Sequence, residues 1–291
     1  MIKLFGTGVA LVTPFTESLE VDYKALKKLL VHTAKGVDYY VVMGTTGESA
    51  TCTEEEKSAI LEFVKQNNPK KLPIVYRIGS NNTSAVIQSI KEADLSGVDA
   101  LLSVSPYYNK PSQEGIVKHF EAIADSCPVP VLLYNVPGRT ASNLTAETTL
   151  RLAAHPNIIG TKEASGNLEQ CMRIMRDKPR DFMLISGDDM MTATLYSMGG
   201  KGVISVLANA YPGIFKKVKV NADAGAMAKA TLELAKLLDI NGPMYEEGNP
   251  VGVKYLLSKM GVCGEAVRLP LSAASEGLKA KIDRLSEIVK K

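Results

Sequence analysis

Short apolar runs alternate with longer amphipathic ones along this chain, at a regular period. The short runs fall at residues 8–12, 38–43, 73–78, 99–104, 129–135, 158–163, 182–186 and 202–206. They are rich in Val, Ile and Leu, the pattern of strands buried on both faces. The stretches between them carry helix start signals. Asp22 opens one, and Thr53 followed by Glu54, Glu55 and Glu56 makes a capping box with acidic residues in its first turn. Asn82-Thr83, Ser112-Gln113-Glu114 and Thr145-Ala146-Glu147 precede others, and Asp188-Asp189 and Tyr211-Pro212 open the last two. Buried strands separated by helices predict parallel pairing with both faces covered. Eight such units predict an α/β fold, a closed (β/α)8 TIM barrel, over residues 1–223. From Ala224 the pattern is wholly helical, over 226–239, 250–260 and 272–289, with turn signals at Asn241-Gly242-Pro243 and Leu269-Pro270. Residues 224–291 are therefore expected to form a C-terminal helical extension packed on the barrel. The competing arrangement, a doubly wound open sheet, needs a glycine-rich turn after an early strand, whereas Gly6-Thr7-Gly8 is expected to precede one.

Composition narrows the classes without choosing among them. A length of 291 residues suits one α/β barrel, and 45% hydrophobic with 22% charged residues is ordinary for a globular chain. The net charge of +3, with only isolated basic pairs such as Lys70-Lys71 and Lys216-Lys217, argues against nucleic acid as a partner. No run reaches the roughly 18 apolar residues of a membrane span. No secretory signal is expected, because Gly6-Thr7-Gly8 and Pro14 interrupt the first apolar stretch. The four cysteines form no CxxC pair and the three histidines no HxH or HxxxH spacing, so a zinc site or a Ser-His-Asp triad is poorly supported. Free thiols in a reducing cytoplasm are the expected setting.

The chemistry-bearing residues cluster where predicted strands end. Lys162 lies inside the run 157–164, which reads as a buried strand. Burial disfavours the ammonium form of a lysine, and the neutral amine is a nucleophile for carbonyl carbon. The competing reading is a strand-end lysine that snorkels or pairs with Glu163. After the second strand comes Gly44-Thr45-Thr46-Gly47-Glu48-Ser49, either a plain strand-to-helix turn or a cradle offering N–H groups and hydroxyls to a carboxylate. Tyr107 and Tyr108 sit in a proline-bounded loop, where paired tyrosines serve packing or an interface. Tyr134 ends the fifth strand, beside Lys162 on the sixth, and suits a proton relay; Arg139 follows, its fork matched to a carboxylate. Together these residues suit Schiff-base chemistry on a small keto acid. Cys52 is either a reactive thiol or a packing residue, and Asp188-Asp189 either a metal ligand pair or a helix cap.

The motifs GTTGES (44–49), SPYYNKPSQEG (105–115), YNVPGRT (134–140), IIGTKEASG (158–166), ISGDD (185–189) and GVISVLAN (202–209) resemble the dihydrodipicolinate synthase family, as do EEGNPVGVK (246–254) and RLPL (268–271). These are pyruvate-dependent class I aldolases of the N-acetylneuraminate lyase superfamily. The resemblance implies a lyase of lysine and diaminopimelate biosynthesis, condensing pyruvate with L-aspartate 4-semialdehyde through a covalent lysine–pyruvate imine, with no metal or organic cofactor. It implies Lys162 as the Schiff-base lysine, Tyr134 as the relay, and Thr45 coupling Tyr134 to Tyr108. Tyr108 would enter from the neighbouring subunit of a tight dimer within a homotetramer. Thr46 would bind the pyruvate carboxylate and Arg139 that of the aldehyde, with the Ile204 carbonyl and Gly187 lining the mouth. A sister aldolase or lyase acting on N-acetylneuraminate or keto-deoxy sugar acids is the alternative, against which Arg139 in its PGRT context argues. A non-catalytic small-molecule sensor on the same fold is a second alternative. Two departures stand out. Tyr76-Arg77-Ile78-Gly79 replaces a small-residue run, placing Arg77 near the barrel mouth or the dimer seam. The family's feedback site for L-lysine matches Ser49, Ala50, Gly79, Asn81 and Tyr107, but Lys57 and Ala85 stand where sensitive members carry histidine and glutamate, so weak or absent lysine inhibition is expected.

Overall fold

The computed structural model describes residues 4–289. Among them, eight strands close into a barrel in chain order: β1 (Gly6–Ala10), β2 (Tyr39–Val42), β3 (Ile74–Arg77), β4 (Ala100–Val104), β5 (Val131–Asn135), β6 (Ile158–Glu163), β7 (Met183–Ser186) and β8 (Gly202–Ser205). Helices alternate with them, and further helices follow β8. The side chains of these strands are buried almost throughout, because the barrel interior covers one face and the helices the other. Asp22, Asn82, Ser112 and Thr145 each accept a first-turn N–H, and the Thr53–Glu56 capping box is complete in both directions. Asn167 caps a further helix, Leu168–Asp177, whose start is not among the expected signals. Among the described residues no helix is long and apolar enough to cross a membrane.

The first strand is a correction. It starts at Gly6, two residues before the expected run, so Gly6-Thr7-Gly8 lies in the strand rather than before it. Gly8 packs under the Tyr39 ring, where an added Cβ would lie 2.1 Å from a ring carbon. The Thr7 N–H donates to the Asp38 carboxylate at 2.7 Å. The glycine there serves close approach, which an apolar-run reading scores as a strand break.

The chain divides into two compact units, residues 6–72 with 205–291, and residues 73–204 with the segment up to Phe5. In the second, β3 to β7 pair in parallel: Arg77 pairs with Leu102, Leu102 with Leu132, Val104 with Tyr134, and, past a register shift between Val131 and Leu132, Tyr134 with Lys162. In the first, β1 pairs with β2, and Asn209 extends the ladder past β1 by accepting from the Val12 N–H and donating to the Ala10 carbonyl. The tail helices Met227–Ala235, Val251–Lys259 and Glu276–Val289 belong to the same unit. The last begins later than residue 272 because Ser275 caps it: its hydroxyl accepts the Leu278 N–H while Glu247 takes the Ser275 N–H.

Candidate active site

Within residues 73–204, the register places Tyr134 and Lys162 directly opposite one another at the ends of β5 and β6. Paired residues on parallel strands point to the same face, and the Lys162 ammonium nitrogen lies 4.3 Å from the Tyr134 ring centroid. Each residue is only 7% exposed. Among the described residues no carboxylate pairs with the Lys162 amine. Glu163, its neighbour in sequence, points to the opposite face and accepts from the Asn135 and Gln170 side-chain amides and from the Ser165 N–H. The reading in which Lys162 pairs with Glu163 therefore fails on strand alternation, and the one in which it snorkels fails on its burial. Gly187, just past β7, lies against the lysine stem: an added Cβ would sit 3.1 Å from Lys162 Cε and 2.5 Å from Ala164 Cβ.

The other expected residues of this unit have different surroundings. Ile204 is buried on β8. Arg139 is exposed on the short helix Pro137–Thr140; its N–H donates to the Val136 carbonyl, and its guanidinium has no hydrogen bond or ion pair among the described residues. Tyr108 is not brought to the lysine within one chain, for it is 88% exposed with φ +71°. Arg77 faces the same side of the sheet as Leu132 and Tyr134, so its side chain belongs to the barrel's inner face. Burial there pushes its guanidinium pKa down, while Tyr107, Tyr134 and Tyr76 oppose the shift.

In the other unit, Thr45–Gly47 forms a 3-10 turn ending on Glu48 in the left-handed region, φ +52°. Thr46 is buried, and its hydroxyl accepts from the Asn249 amide at 3.0 Å, which leaves the Thr46 proton available to donate. Thr45 is exposed. Glu48 forms a fully buried ion pair with Lys254 and also accepts the Arg268 N–H. Lys254 donates in addition to the Ala266 carbonyl and lies over the Phe15 ring. Burial lowers its pKa, with Glu48 pulling it back up. The sequence reading did not single out Lys254, although it is more deeply buried than Lys162. What separates the two lysines is the carboxylate: both lie over an aromatic ring, but among the described residues only Lys254 has an anionic partner.

Burial raises the Cys52 thiol pKa to about 11, so it packs rather than reacts. The Asp188 carboxylate accepts the Met190 N–H, as a cap does. Among the described residues no cluster of three His, Cys, Asp or Glu side chains is placed to hold a metal ion.

Residues 3–289 match the Dihydrodipicolinate synthetase family. A 4-hydroxy-tetrahydrodipicolinate synthase from Cytophaga hutchinsonii is 52% identical over 98% of this chain and 96% of its own. Among solved structures, the chloride-inhibited dihydrodipicolinate synthase of Acinetobacter baumannii, complexed with pyruvate, superimposes with a TM-score of 0.95 at 35% identity over 99% of both chains. The enzyme of Cyanidioschyzon merolae, with lysine bound, gives 0.94 at 39% identity, again over 99% of both. A match of this extent, on a closed eight-stranded barrel, shows that this chain is an enzyme of the dihydrodipicolinate (4-hydroxy-tetrahydrodipicolinate) synthase family, a family of lyases.

Proposed function

We propose that this chain condenses pyruvate with L-aspartate 4-semialdehyde to 4-hydroxy-tetrahydrodipicolinate, in lysine and diaminopimelate biosynthesis, and that Lys162 carries the reaction as a Schiff base. The observation that carries this reading is a buried lysine that has no carboxylate partner among the described residues and faces a phenol on the adjacent strand. The neutral Lys162 amine attacks the pyruvate ketone. Tyr134 relays protons as the carbinolamine loses water to give the protonated imine. Loss of a methyl proton gives the enamine, whose carbon attacks the aldehyde carbon. The amino group of the aldehyde substrate then attacks the imine carbon, closes the ring and frees Lys162.

The remaining roles follow the family pattern. Thr46, with its hydroxyl proton left available by Asn249, binds the pyruvate carboxylate. Arg139, exposed and unpaired among the described residues, binds the carboxylate of the aldehyde. Gly187 leaves room beside the lysine stem, and the Ile204 carbonyl faces the bound pyruvate. Thr45 couples Tyr134 to Tyr108 of a neighbouring subunit. An exposed phenol on left-handed backbone suits a contact with a second copy, and a homotetramer built as a dimer of dimers is the assembly this implies. Residues 1–223 carry the barrel, residues 224–291 brace the threonine turn through Asn249 and Lys254, and the enzyme works in the cytoplasm.

The test is reduction with borohydride in the presence of pyruvate, followed by peptide mass spectrometry beside a Lys162→Ala control. A pyruvyl adduct on Lys162, with turnover when aspartate semialdehyde is added, supports the reading. A folded protein without an adduct defeats the Schiff-base mechanism. An adduct that turns over only with another aldehyde shifts the assignment to a sister aldolase.

A further inference from the structure

Behind the Tyr134–Lys162 pair, on the other face of the sheet, lies a second pair that the reaction above does not use. Asn135 and Glu163 follow the two reacting residues in sequence and are register partners themselves. Both are almost wholly buried. The Asn135 amide donates to both Glu163 oxygens, at 3.2 and 3.0 Å, and its carbonyl accepts the Leu144 N–H at 3.0 Å, which settles the orientation of the amide. The Glu163 carboxylate is completed by the Ser165 N–H at 2.7 Å and the Gln170 amide at 3.0 Å. Asn143 joins the set, accepting from Asn135 at 2.8 Å and donating to Gln170 at 2.9 Å.

Among the described residues every partner of the carboxylate is a neutral N–H donor, and none is a cation. Such an arrangement costs desolvation that an apolar pair of equal volume would avoid, so stability alone is a poor reason for it. Its geometry does something an apolar pair cannot. Directional hydrogen bonds join β5 to β6 at the level where the phenol must face the amine. The same network fixes Asn143 and Leu144, just beyond the turn that carries Arg139. A shift of the two strands at this point would displace the relay from the nucleophile.

We propose that Glu163 and Asn135 are positioning residues, a polar brace that holds Tyr134 in register with Lys162 from the outer face of the barrel. This inference rests on the Schiff-base reading of Lys162. Neither residue touches substrate; both act through the strand backbones they tie together.

The measurement is the rate at which pyruvate becomes trappable by borohydride on Lys162, followed with timed quenches, for wild type, Glu163→Gln and the double variant Glu163→Gln/Asn135→Asp. Glu163→Gln replaces an acceptor oxygen with an NH2 group facing other donors. Adduct formation is expected to slow on the order of 10- to 100-fold, with kcat falling by a like factor and the final extent of adduct unchanged at saturating pyruvate. The double variant exchanges donor and acceptor and is expected to recover most of the rate. A purely structural role would predict rates that follow thermal stability across the variants, with no recovery by the exchange, and that result overturns the proposal. So does a wild-type rate in folded Glu163→Gln. Should that variant fail to fold, Gln170→Ala removes one donor and leaves the central pair. Slowing of about three- to tenfold there supports the brace, and an unchanged rate overturns it. Absence of any adduct on wild-type Lys162 overturns both the brace and the reading beneath it, whereas a normal wild-type adduct with an unaffected Glu163→Gln overturns the brace alone.

Discussion

His119 ties the stability of this protein to pH. It lies on the helix Gln113–Ser126 at 4% exposure, with Nδ1 2.9 Å from the Thr83 hydroxyl and its ring edge-on to Phe120. Nε2 is buried without a hydrogen-bond partner, so a second ring proton has no acceptor. Burial alone lowers the pKa from 6.5 to about 4. The unfolded chain takes up this proton as the pH falls below 6.5, while the folded one resists it until about 4. Stability from this group is therefore complete above the unfolded value and is eroded as the pH drops through that window. Two and a half units at about 1.4 kcal/mol each give roughly 3 kcal/mol in all, of which about 2.5 kcal/mol is lost between pH 7.5 and 4.5. The perturbation is His119→Asn, whose amide can hydrogen-bond the Thr83 hydroxyl in either direction and does not titrate. Urea unfolding across that pH range should show the wild type losing about 2.5 kcal/mol more than the variant, whatever their difference at neutral pH. An NMR titration of the His119 ring reads the folded pKa directly. Parallel stability curves for the two proteins, or a folded pKa near the ordinary histidine value, would refute the reasoning.

Two further outcomes follow from the other unit and from the loop chemistry. Lys254→Met leaves Glu48 buried against little more than the Arg268 N–H, and should cost about 3–5 kcal/mol in urea unfolding together with a raised KM for pyruvate, since Glu48 ends the threonine turn; a loss below about 1 kcal/mol would show that the pair is dispensable. L-lysine should leave initial rates unchanged into the millimolar range, because Ala85 offers a ligand amine no carboxylate and Lys57 is already paired with Glu54 at 2.7 Å; a submillimolar inhibition constant would count against that reading.

Much of the architecture was legible in local pattern. Buried strands announce themselves as β-branched runs, and N-caps as Asp, Asn, Ser or Thr before an amphipathic stretch, because both are decided by residues within a turn or two of each other. Seven of the eight expected runs overlap their strands closely, while β1 was displaced because Gly8 is explained only by the Tyr39 ring packed against it. The motifs at the strand ends were equally readable, since each is a contiguous segment. Asn249 could be suspected as a brace from the tail, but its target, the Thr46 hydroxyl, is 203 residues away in the chain.

What the sequence determined by itself, then, was the eight-unit order, the caps, and the set of unusual polar residues at strand ends, Lys162 and Tyr134 among them. Tertiary structure decided what each polar group meets. Two lysines are buried among the described residues, and nothing local says that Lys254 finds a carboxylate 206 residues away while Lys162 finds none there. Strand alternation turns Glu163 from the obvious partner of Lys162 into a member of a separate network on the far face. The physical reason is the same in each case. Secondary structure is set by short-range sterics and periodicity, whereas the pairing of a buried charge depends on which distant side chain the folded barrel brings within hydrogen-bonding reach.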